Sequence, residues 1–439
     1  MNRASGGAPN HGAPPARLCE ETTMSHDVRI GSVKGTALFT ATVVGPGILT
    51  LPALAAQQAG PASLLTLLVV LAVSTPIAFT FAELGRRFPA TGTDVGIPHF
   101  VASAFGAMSG KIVSALFRYG VPIGVPALGL IAGSYVEEAI GGGRVTMVAV
   151  AAATTIAAIV AITVRRAGTG VSTVILTALL IALITATVVA AAPFMQTTNL
   201  HPFAPQGGFA TVSAALVLTW VLTGWEATPS FARILRDPAL TLPRVTLATL
   251  VLVSVMYILV ALTEILVLGP TAGDTSAPLA RMLGLAFGAA GTLVAAGVAL
   301  VVTLGNSIAY VGSIAELGTD RAENRRARVR ALRGPVLVMV ATMLAVIVLP
   351  IGPDVIVAAC AACQVPVYAA GLAAALRLLP AYTRAWWGAM TALVAVSGLL
   401  VSAGAYLVLP VVIGVTAVPV IKTRARRTQM SAELKTPAS

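Results

Sequence analysis

A succession of apolar runs, each close to the length that crosses a bilayer, is the feature that most constrains how this chain can fold. We place about twelve such runs, judged against the roughly 20 residues that one helical span needs. They lie near residues 31–58, 62–84, 111–139, 145–164, 169–192, 210–235, 245–268, 284–317, 335–349, 354–378, 385–400 and 402–421. Residues 93–110 are interrupted by Pro98 and Gly106 and predict a short cytoplasmic or re-entrant helix. The sequence therefore predicts an all-α, multi-pass membrane protein.

The amount and distribution of charge agree with a chain that lies mostly in lipid. Only 10% of the residues are charged, whereas a soluble domain carries about 25%. The net charge of +12 comes from basic residues in loops and tails, and this pattern does not indicate a nucleic-acid partner. With the N-terminus inside, only Arg144 and Arg281 would lie outside among the arginines of the predicted loops. We therefore predict a protein of the cell membrane with both termini in the cytoplasm, a disordered tail over residues 1–30 and a basic tail over residues 422–439.

Two short stretches interrupt long apolar runs with residues that break a helix. They are Val44-Gly45-Pro46-Gly47 in the first predicted span and Thr223-Gly224-Trp225-Glu226 in the sixth. Lipid cannot hydrogen-bond exposed backbone, so a broken helix at membrane depth has to face protein, water or a ligand. The first break taken alone could be an ordinary proline kink. Two breaks, one early in each half of the chain, predict a secondary transporter whose substrate lies between them.

The two breaks are also spaced like an internal repeat. Five spans over residues 31–193 are followed by five spans over residues 210–380, and each set begins with a broken span. An odd number of spans gives the two sets opposite orientations in the membrane, so the sequence predicts an inverted repeat whose broken helices meet near the midplane. The last two spans, within residues 385–421, lie outside the repeat.

Several motifs resemble the amino acid–polyamine–organocation transporters. The stretch Gly45-Pro46-Gly47-Ile48-Leu49 resembles the first-helix signature of that family, and Gly224-Trp225-Glu226, followed by Arg236-Asp237-Pro238, resembles its sixth-helix pattern. The Val-Pro-x-Gly-x-Pro-Ala pattern at residues 121–127 is similar to that of the methionine and branched-chain amino-acid exporters. Pro46 and Ile234 depart from the family pattern, and the predicted fifth span lacks the lysine that some proton-coupled relatives carry.

The first break offers main-chain groups that suit a zwitterionic amino acid. The amides of Gly47 and Ile48, at the start of a half-helix, can donate to a carboxylate, whereas Pro46 has no N–H. The carbonyls of Val43 and Val44 can accept from an ammonium group. Glycine at positions 45 and 47 lets the ligand approach the backbone closely.

Glu226 is the most informative single residue, because a carboxylate inside a span is costly unless it is paired, hydrated or neutral. It either titrates during transport or only braces the unwound segment. Arg118 in the third span is a candidate charge partner, or its side chain extends to the cytoplasmic interface. Thr223 is expected to face the substrate side chain. Trp225 would line the pocket or anchor its half-helix.

Trp220 lies one helical turn before the sixth-span break. The resemblance implies that its ring covers the substrate, although aromatic residues also settle at membrane interfaces. Gly120, Gly124, Gly129 and Gly133 form small-xxx-small pairs that predict close helix packing. Cys360 and Cys363 are best interpreted as small buried side chains, and no metal or cofactor site is assembled.

The resemblance implies a LeuT-like 5+5 inverted-repeat fold and alternating access to a midplane site. It also implies a secondary transporter of small neutral amino acids, specifically a proton antiporter that exports methionine and branched-chain amino acids as a monomer or homodimer. An importer or an amino-acid or polyamine exchanger on the same fold remains an alternative. A metal transporter would need Asp, Asn and Met ligands that these breaks lack. A membrane-embedded receptor or enzyme is the most remote reading, since no cluster of catalytic residues is visible.

Overall fold

The computed structural model describes residues 29–88, 96–164, 170–316 and 325–433, and these residues fold into helices joined by turns. Residues 1–28 of the predicted tail and part of the basic loop near residue 321 lie outside the described residues. The helices are α1 (Ser32–Val43), α2 (Leu51–Ala59), α3 (Ser63–Arg87), α4 (Ile97–Phe105), α5 (Ala107–Gly120), α6 (Gly124–Ile140), α7 (Gly143–Val164), α8 (Gly170–Ala191), α9 (Ala210–Leu218), α10 (Thr228–Ile234), α11 (Pro238–Leu268), α12 (Pro278–Phe287), α13 (Ala289–Glu316), α14 (Arg325–Val348), α15 (Pro353–Leu378), α16 (Arg384–Ala403) and α17 (Val408–Glu433).

The twelve predicted spans are recognisable in this order of helices. Ten continuous helical stretches among the described residues are long and apolar enough to cross a membrane. The stretch Leu51–Arg87 joins the second half of the first predicted span to the second span, and Arg384–Thr423 contains the last two. The short helix α4 occupies the segment that we predicted not to span.

Three predicted boundaries are wrong. The eighth span was expected over residues 284–317, but the chain breaks at Gly288, where α12 ends and α13 begins one residue later. Gly288 has a φ of 59°, which favours glycine and stops the helix. The ninth span was expected from residue 335, but α14 already begins at Arg325, because Pro335 is accommodated inside the helix. The last helix, α17, also continues past residue 421 into the predicted basic tail.

The centre of the bundle is formed by α5, α6 and α15. In the most apolar part of each stretch, 72% of residues are buried for Ala107–Ile140 and 78% for Pro353–Leu378, against 11% for Arg384–Thr423. Because lipid is as apolar as the core, the exposed valines and leucines of α16 and α17 suit a lipid-facing position.

Glycines on α6 allow its neighbours to approach closely, as the small-xxx-small pattern predicted. A Cβ placed on Gly129 would lie 2.8 Å from the Ala151 backbone, and one on Gly133 would lie 2.2 Å from the Met147 carbonyl oxygen. A Cβ on Gly120 would lie 2.5 Å from the Cβ of Cys363, and that cysteine is buried as expected. These contacts fix α6 against α7 and α5 against α15 around the two broken spans.

Candidate substrate site

The first broken span loses its helical hydrogen bonding between α1 and α2. Val44 has a ψ of 94° and Gly45 a ψ of 178°, so both are extended, and a 3-10 turn follows over Pro46–Leu49. Pro46 has no N–H, so the Thr42 carbonyl lacks the donor that an uninterrupted helix would supply four residues later. The first predicted break is therefore confirmed as an unwound segment rather than a simple kink.

The second broken span unwinds at the repeat-equivalent position. After α9 the chain makes a 3-10 turn over Thr219–Leu222, becomes extended at Thr223, and reaches Gly224 with a φ of 106°. A residue with a Cβ rarely adopts this φ, so glycine is required here. A second short turn over Trp225–Ala227 then leads into α10.

The two breaks touch each other. A Cβ placed on Gly224 would lie 2.8 Å from the Val43 Cα and 3.1 Å from the Thr42 carbonyl oxygen. At one end of the molecule, the start of α1 is also tied to the end of α10, where the Ile30 amide donates to the Ile234 carbonyl at 2.8 Å. The absence of a side chain at Gly224 thus allows the second break to pack directly against the end of α1, where the first break begins.

A cavity of about 620 Å³ lies beside these breaks. Its lining combines main chain and side chains from both broken spans with side chains from α13 and α15, including Thr42, Gly224, Glu226, Asn306, Tyr310 and Gln364. Apolar residues such as Phe117, Val121 and Ile97 complete it. A mostly apolar cavity with a few convergent polar groups is the usual form of a small-molecule site.

Glu226 braces the second break. Its carboxylate accepts a hydrogen bond from the Gly224 amide at 2.7 Å and is also hydrogen-bonded to the Tyr368 hydroxyl of α15. The same hydroxyl donates to the Leu222 carbonyl at 2.6 Å. Glu226 and Tyr368 therefore hold the two sides of the unwound turn in place.

The hypothesis that Arg118 pairs with Glu226 is wrong. The Arg118 guanidinium donates to the Ala331 carbonyl of α14, and the ion pairs found within the described ranges do not include one between Arg118 and Glu226. The main-chain amide and the phenol take the place of the arginine, because they reach the carboxylate from its own turn and from α15.

The two tryptophans are both buried, which decides between their alternative interpretations. Trp225 is 1% exposed and meets Phe39 of α1 edge-on, with 5.6 Å between ring centroids, so it anchors its half-helix. Trp220 is 5% exposed and its ring lies 3.2 Å from where a Cβ on Gly124 would be. Trp220 therefore packs inside the bundle rather than at a membrane interface.

The structure brings the predicted residues into one region, but only some of them line the cavity. Gly224 and Glu226 do so directly. The side chains of Val43, Val44, Pro46 and Ile48 are buried in the core around the first break, and Thr223 is 9% exposed and donates to the Trp220 carbonyl.

Four polar residues of the site were missed in the sequence. They are Asn306 and Tyr310 on α13 and Gln364 and Tyr368 on α15. Tyr310 interacts with the side chains of Thr223 and Trp220. The available signal was polar residues at helical spacing inside two apolar spans, an i and i+4 pair in each case.

A helical membrane bundle in which two broken spans meet beside a partly polar cavity is the architecture of a secondary transporter. Residues 30–425 match the family model of amino acid permeases, and the chain belongs to that family. Its members are transporters rather than enzymes.

Individual relatives agree with this assignment. The chain is similar to the uncharacterized amino acid permease YecA of Bacillus subtilis, with 26% identity over 408 residues that cover 89% of this chain and 95% of YecA. It is 30% identical over 233 residues to the L-methionine/branched-chain amino acid exporter YjeH of Escherichia coli, a match that spans 52% of this chain and 54% of YjeH.

Among solved structures, MhsT in complex with L-phenylalanine superposes with a TM-score of 0.58 at 14% identity, covering 84% of this chain and 98% of MhsT. At this identity the likeness concerns the fold alone. The predicted LeuT-like fold with broken first and sixth spans is confirmed.

Proposed function

We propose that this chain exports methionine and the branched-chain amino acids by proton antiport. The observation that carries the proposal is the contact between the two helix breaks beside a cavity of about 620 Å³ with a mostly apolar lining. The similarity to the exporter YjeH, over about half of each chain, supports the substrate class and the direction.

In this proposal the main chain of the first break recognises the part that all amino acids share. The Gly47 amide donates to the carboxylate, and the Ile48 amide, whose hydrogen bond to the Gly45 carbonyl is long at 3.4 Å, exchanges that partner for the substrate. The carbonyls of Val43 and Val44 accept from the ammonium group. The positive end of the following half-helix favours the carboxylate as well. Because these groups belong to the backbone, they bind the zwitterion without selecting a side chain.

The cavity then selects a neutral side chain. Phe117 and Val121 offer apolar surface, and Glu226 is the sole charged side chain among the described residues that line the cavity. Glu226 is already engaged by Gly224 and Tyr368. A cationic or anionic substrate side chain would therefore be desolvated without a free partner, which is unfavourable.

Counting protons around Tyr368 supports a role for Glu226 in coupling. A tyrosine hydroxyl has one proton to donate, and the Leu222 carbonyl can only accept. Tyr368 contacts both Leu222 and Glu226, so both hydrogen bonds can form together only when Glu226 is protonated and donates to the phenol oxygen. Loss of that proton forces Tyr368 to choose between the two, and this links the charge of Glu226 to the geometry of the second break.

The proposal also includes the orientation and the repeat. Both termini lie in the cytoplasm, as the distribution of arginine and lysine favours. Residues 31–193 and 210–380 form the two inverted repeats, and alternating access arises from movement around their broken spans. Protons are the coupling ion, and residues 385–421 stand outside the repeats.

Proteoliposomes loaded with labelled leucine test the proposal. An inwardly or outwardly directed pH gradient should drive leucine against its own gradient, in the direction opposite to the protons. Unlabelled methionine, isoleucine and valine should compete, whereas arginine and glutamate should not. Strong competition by arginine would instead favour a cationic amino-acid or polyamine exchanger. Movement of leucine in the same direction as the protons would favour an importer.

A further inference from the structure

A second glutamate, on α11, is buried more completely than Glu226. Glu264 is 0% exposed, and neither of its carboxylate oxygens has a hydrogen-bond partner among the residues that the structure describes. It is the one acidic residue in the fully buried part of the described chain. Nothing in the proposed substrate site uses it.

Glu264 lies beyond the first break, away from the cavity. Tyr257, on the same helix, has its hydroxyl 3.6 Å from where a Cβ on Gly47 would be. Glu264 follows seven residues later, which is about 10 Å farther along the helix axis. The beginning of α11 lies next to the contact between Ile30 and Leu235, so Glu264 is on the opposite side of the break from the start of α1.

The charged groups near this end of α11 are already paired or belong to other surfaces. Glu138 of α6 forms a two-pronged ion pair with Arg281 of α12, at 3.1 and 3.2 Å. Asp274 and His201 line a separate cavity that Ile265 also borders. Arg281 of α12, which packs against α11, is engaged by Glu138.

Tyr135 of α6 is the titratable group that interacts electrostatically with Glu264. Its hydroxyl donates to the Leu49 carbonyl at 2.7 Å. Its proton is therefore not available to the glutamate. Tyr257 is the other phenol on this side, about two helical turns away along α11.

An ionised carboxylate without a cation, a donor or water in an apolar interior is strongly unfavourable, so the group takes up a proton instead. We propose that Glu264 is a second proton-binding site of this transporter, protonated in the conformation described here. Its position on the far side of the break from Glu226 suits an acid that exchanges its proton with the other side of the membrane.

Water would reach Glu264 if two contacts between helices opened, and each of these contacts contains a hydrogen bond. Tyr135 holds the Leu49 carbonyl, and the Thr50 hydroxyl donates to the Ser276 carbonyl at 2.9 Å. Both tie the second half of the first broken span to α6 and to the segment before α12. Their separation in the opposite conformation would admit water and allow Glu264 to release its proton.

Infrared spectroscopy of the purified full-length protein in lipid tests the proton directly and without transport. At pH 7 and pH 8, without substrate, the wild type should show the carbonyl stretch of a protonated carboxylic acid. Because Glu226 is also protonated in this conformation under the proposed function, Glu226→Gln should keep a band that comes from Glu264, and the double variant Glu226→Gln/Glu264→Gln should lose it. Glu137→Gln is the matched control, since Glu137 is a half-buried glutamate on α6 whose loss should leave the band unchanged.

Each infrared result either supports or overturns the assignment of the proton to Glu264. A band that survives in the double variant Glu226→Gln/Glu264→Gln, or that is absent from Glu226→Gln at both pH values, would overturn the assignment. If Glu264→Gln did not fold, the Glu226→Gln spectrum alone would still decide, because Glu264 is then the remaining fully buried acid of the described residues.

The role in coupling rests on the proposed function, and a second measurement separates the two. Glu264→Gln should lower the proton-to-substrate ratio measured from reversal of the substrate gradient while leaving substrate competition unchanged. If Glu264→Gln kept the wild-type proton-to-substrate ratio while the infrared spectra assigned a band to Glu264, Glu264 would be protonated but not coupled to transport. That result would overturn the transport part of the inference. Failure of leucine to be transported by the wild type would instead contradict the proposed function and leave the infrared result standing.

Discussion

Substitution of Gly224 by alanine is the sharpest test of the contact between the two breaks. The new Cβ would lie 2.8 Å from the Val43 Cα and 3.1 Å from the Thr42 carbonyl oxygen, and both are main-chain atoms that cannot rotate away. Gly224 also has a φ of 106°, which alanine rarely adopts. The two effects act in the same direction.

The magnitude follows from these two terms. A left-handed backbone conformation costs alanine about 1–2 kcal/mol relative to glycine. Overpacking against fixed atoms adds about 1–3 kcal/mol. If the strain is relieved by moving the second break away from the first, the substrate-binding geometry is lost. Since about 1.4 kcal/mol corresponds to a factor of ten, we expect transport by Gly224→Ala to fall at least tenfold.

The measurement is leucine exchange in proteoliposomes, with the amount of folded protein determined by size-exclusion chromatography and thermal unfolding. Gly398→Ala is the matched control, because a Cβ there meets nothing within 4 Å and the residue lies inside helix α16. It should fold and transport like the wild type. Wild-type exchange and an unchanged melting temperature for Gly224→Ala would refute the argument that the two main chains need to touch at this position.

Three further substitutions separate the roles within the site. Gly47→Val should insert and fold, because its Cβ meets chiefly the flexible end of Leu51, at 2.8 Å, yet it should abolish transport in the exchange assay by blocking the carboxylate. Glu226→Gln should keep exchange at equal pH and accumulate less leucine under a pH gradient than the wild type, and accumulation at the wild-type level would reduce Glu226 to a structural brace. Tyr368→Phe removes the donor to the Leu222 carbonyl and should destabilise the protein by about 1–3 kcal/mol in thermal unfolding while weakening the pH dependence of exchange.

The arrangement of spans and breaks was predictable because it follows from local properties of the chain. Length and hydropathy give the spans, and the residues Gly45, Pro46 and Gly224 give the two breaks. The boundaries were less predictable. Gly288 ends a helix inside a run that is apolar on both sides, and Pro335 sits inside a helix that packing maintains. Neither outcome can be read from hydropathy alone.

The polar contacts of the site depend on which helices become neighbours, and this was not predictable from one sequence. Arg118 in the third span was a candidate charge partner for Glu226. The structure instead places Tyr368 of α15 against the carboxylate and turns Arg118 toward Ala331. Pairing by charge is a reasonable first expectation, but a neutral donor avoids the desolvation of a second ion.

If each acid carries its own proton, as we propose, the two acids are placed to exchange protons with opposite sides of the molecule. Glu226 lies at the cavity, where its charge is linked through Tyr368 to the second break. Glu264 lies beyond the first break, on the side where Tyr135 of α6 binds the second half of that span. A single acid at the midplane would have to change its access to water on either side of the membrane in the same step as the substrate. Two acids on opposite sides of the touching breaks can each exchange protons with one side of the membrane. The contact at Gly224 would then link the movement of one acid's surroundings to that of the other. A cycle of this kind requires that the two acids are never hydrated at the same time. The double variant with both glutamates replaced by glutamine should then show no proton movement with leucine, while leucine exchange at equal pH persists.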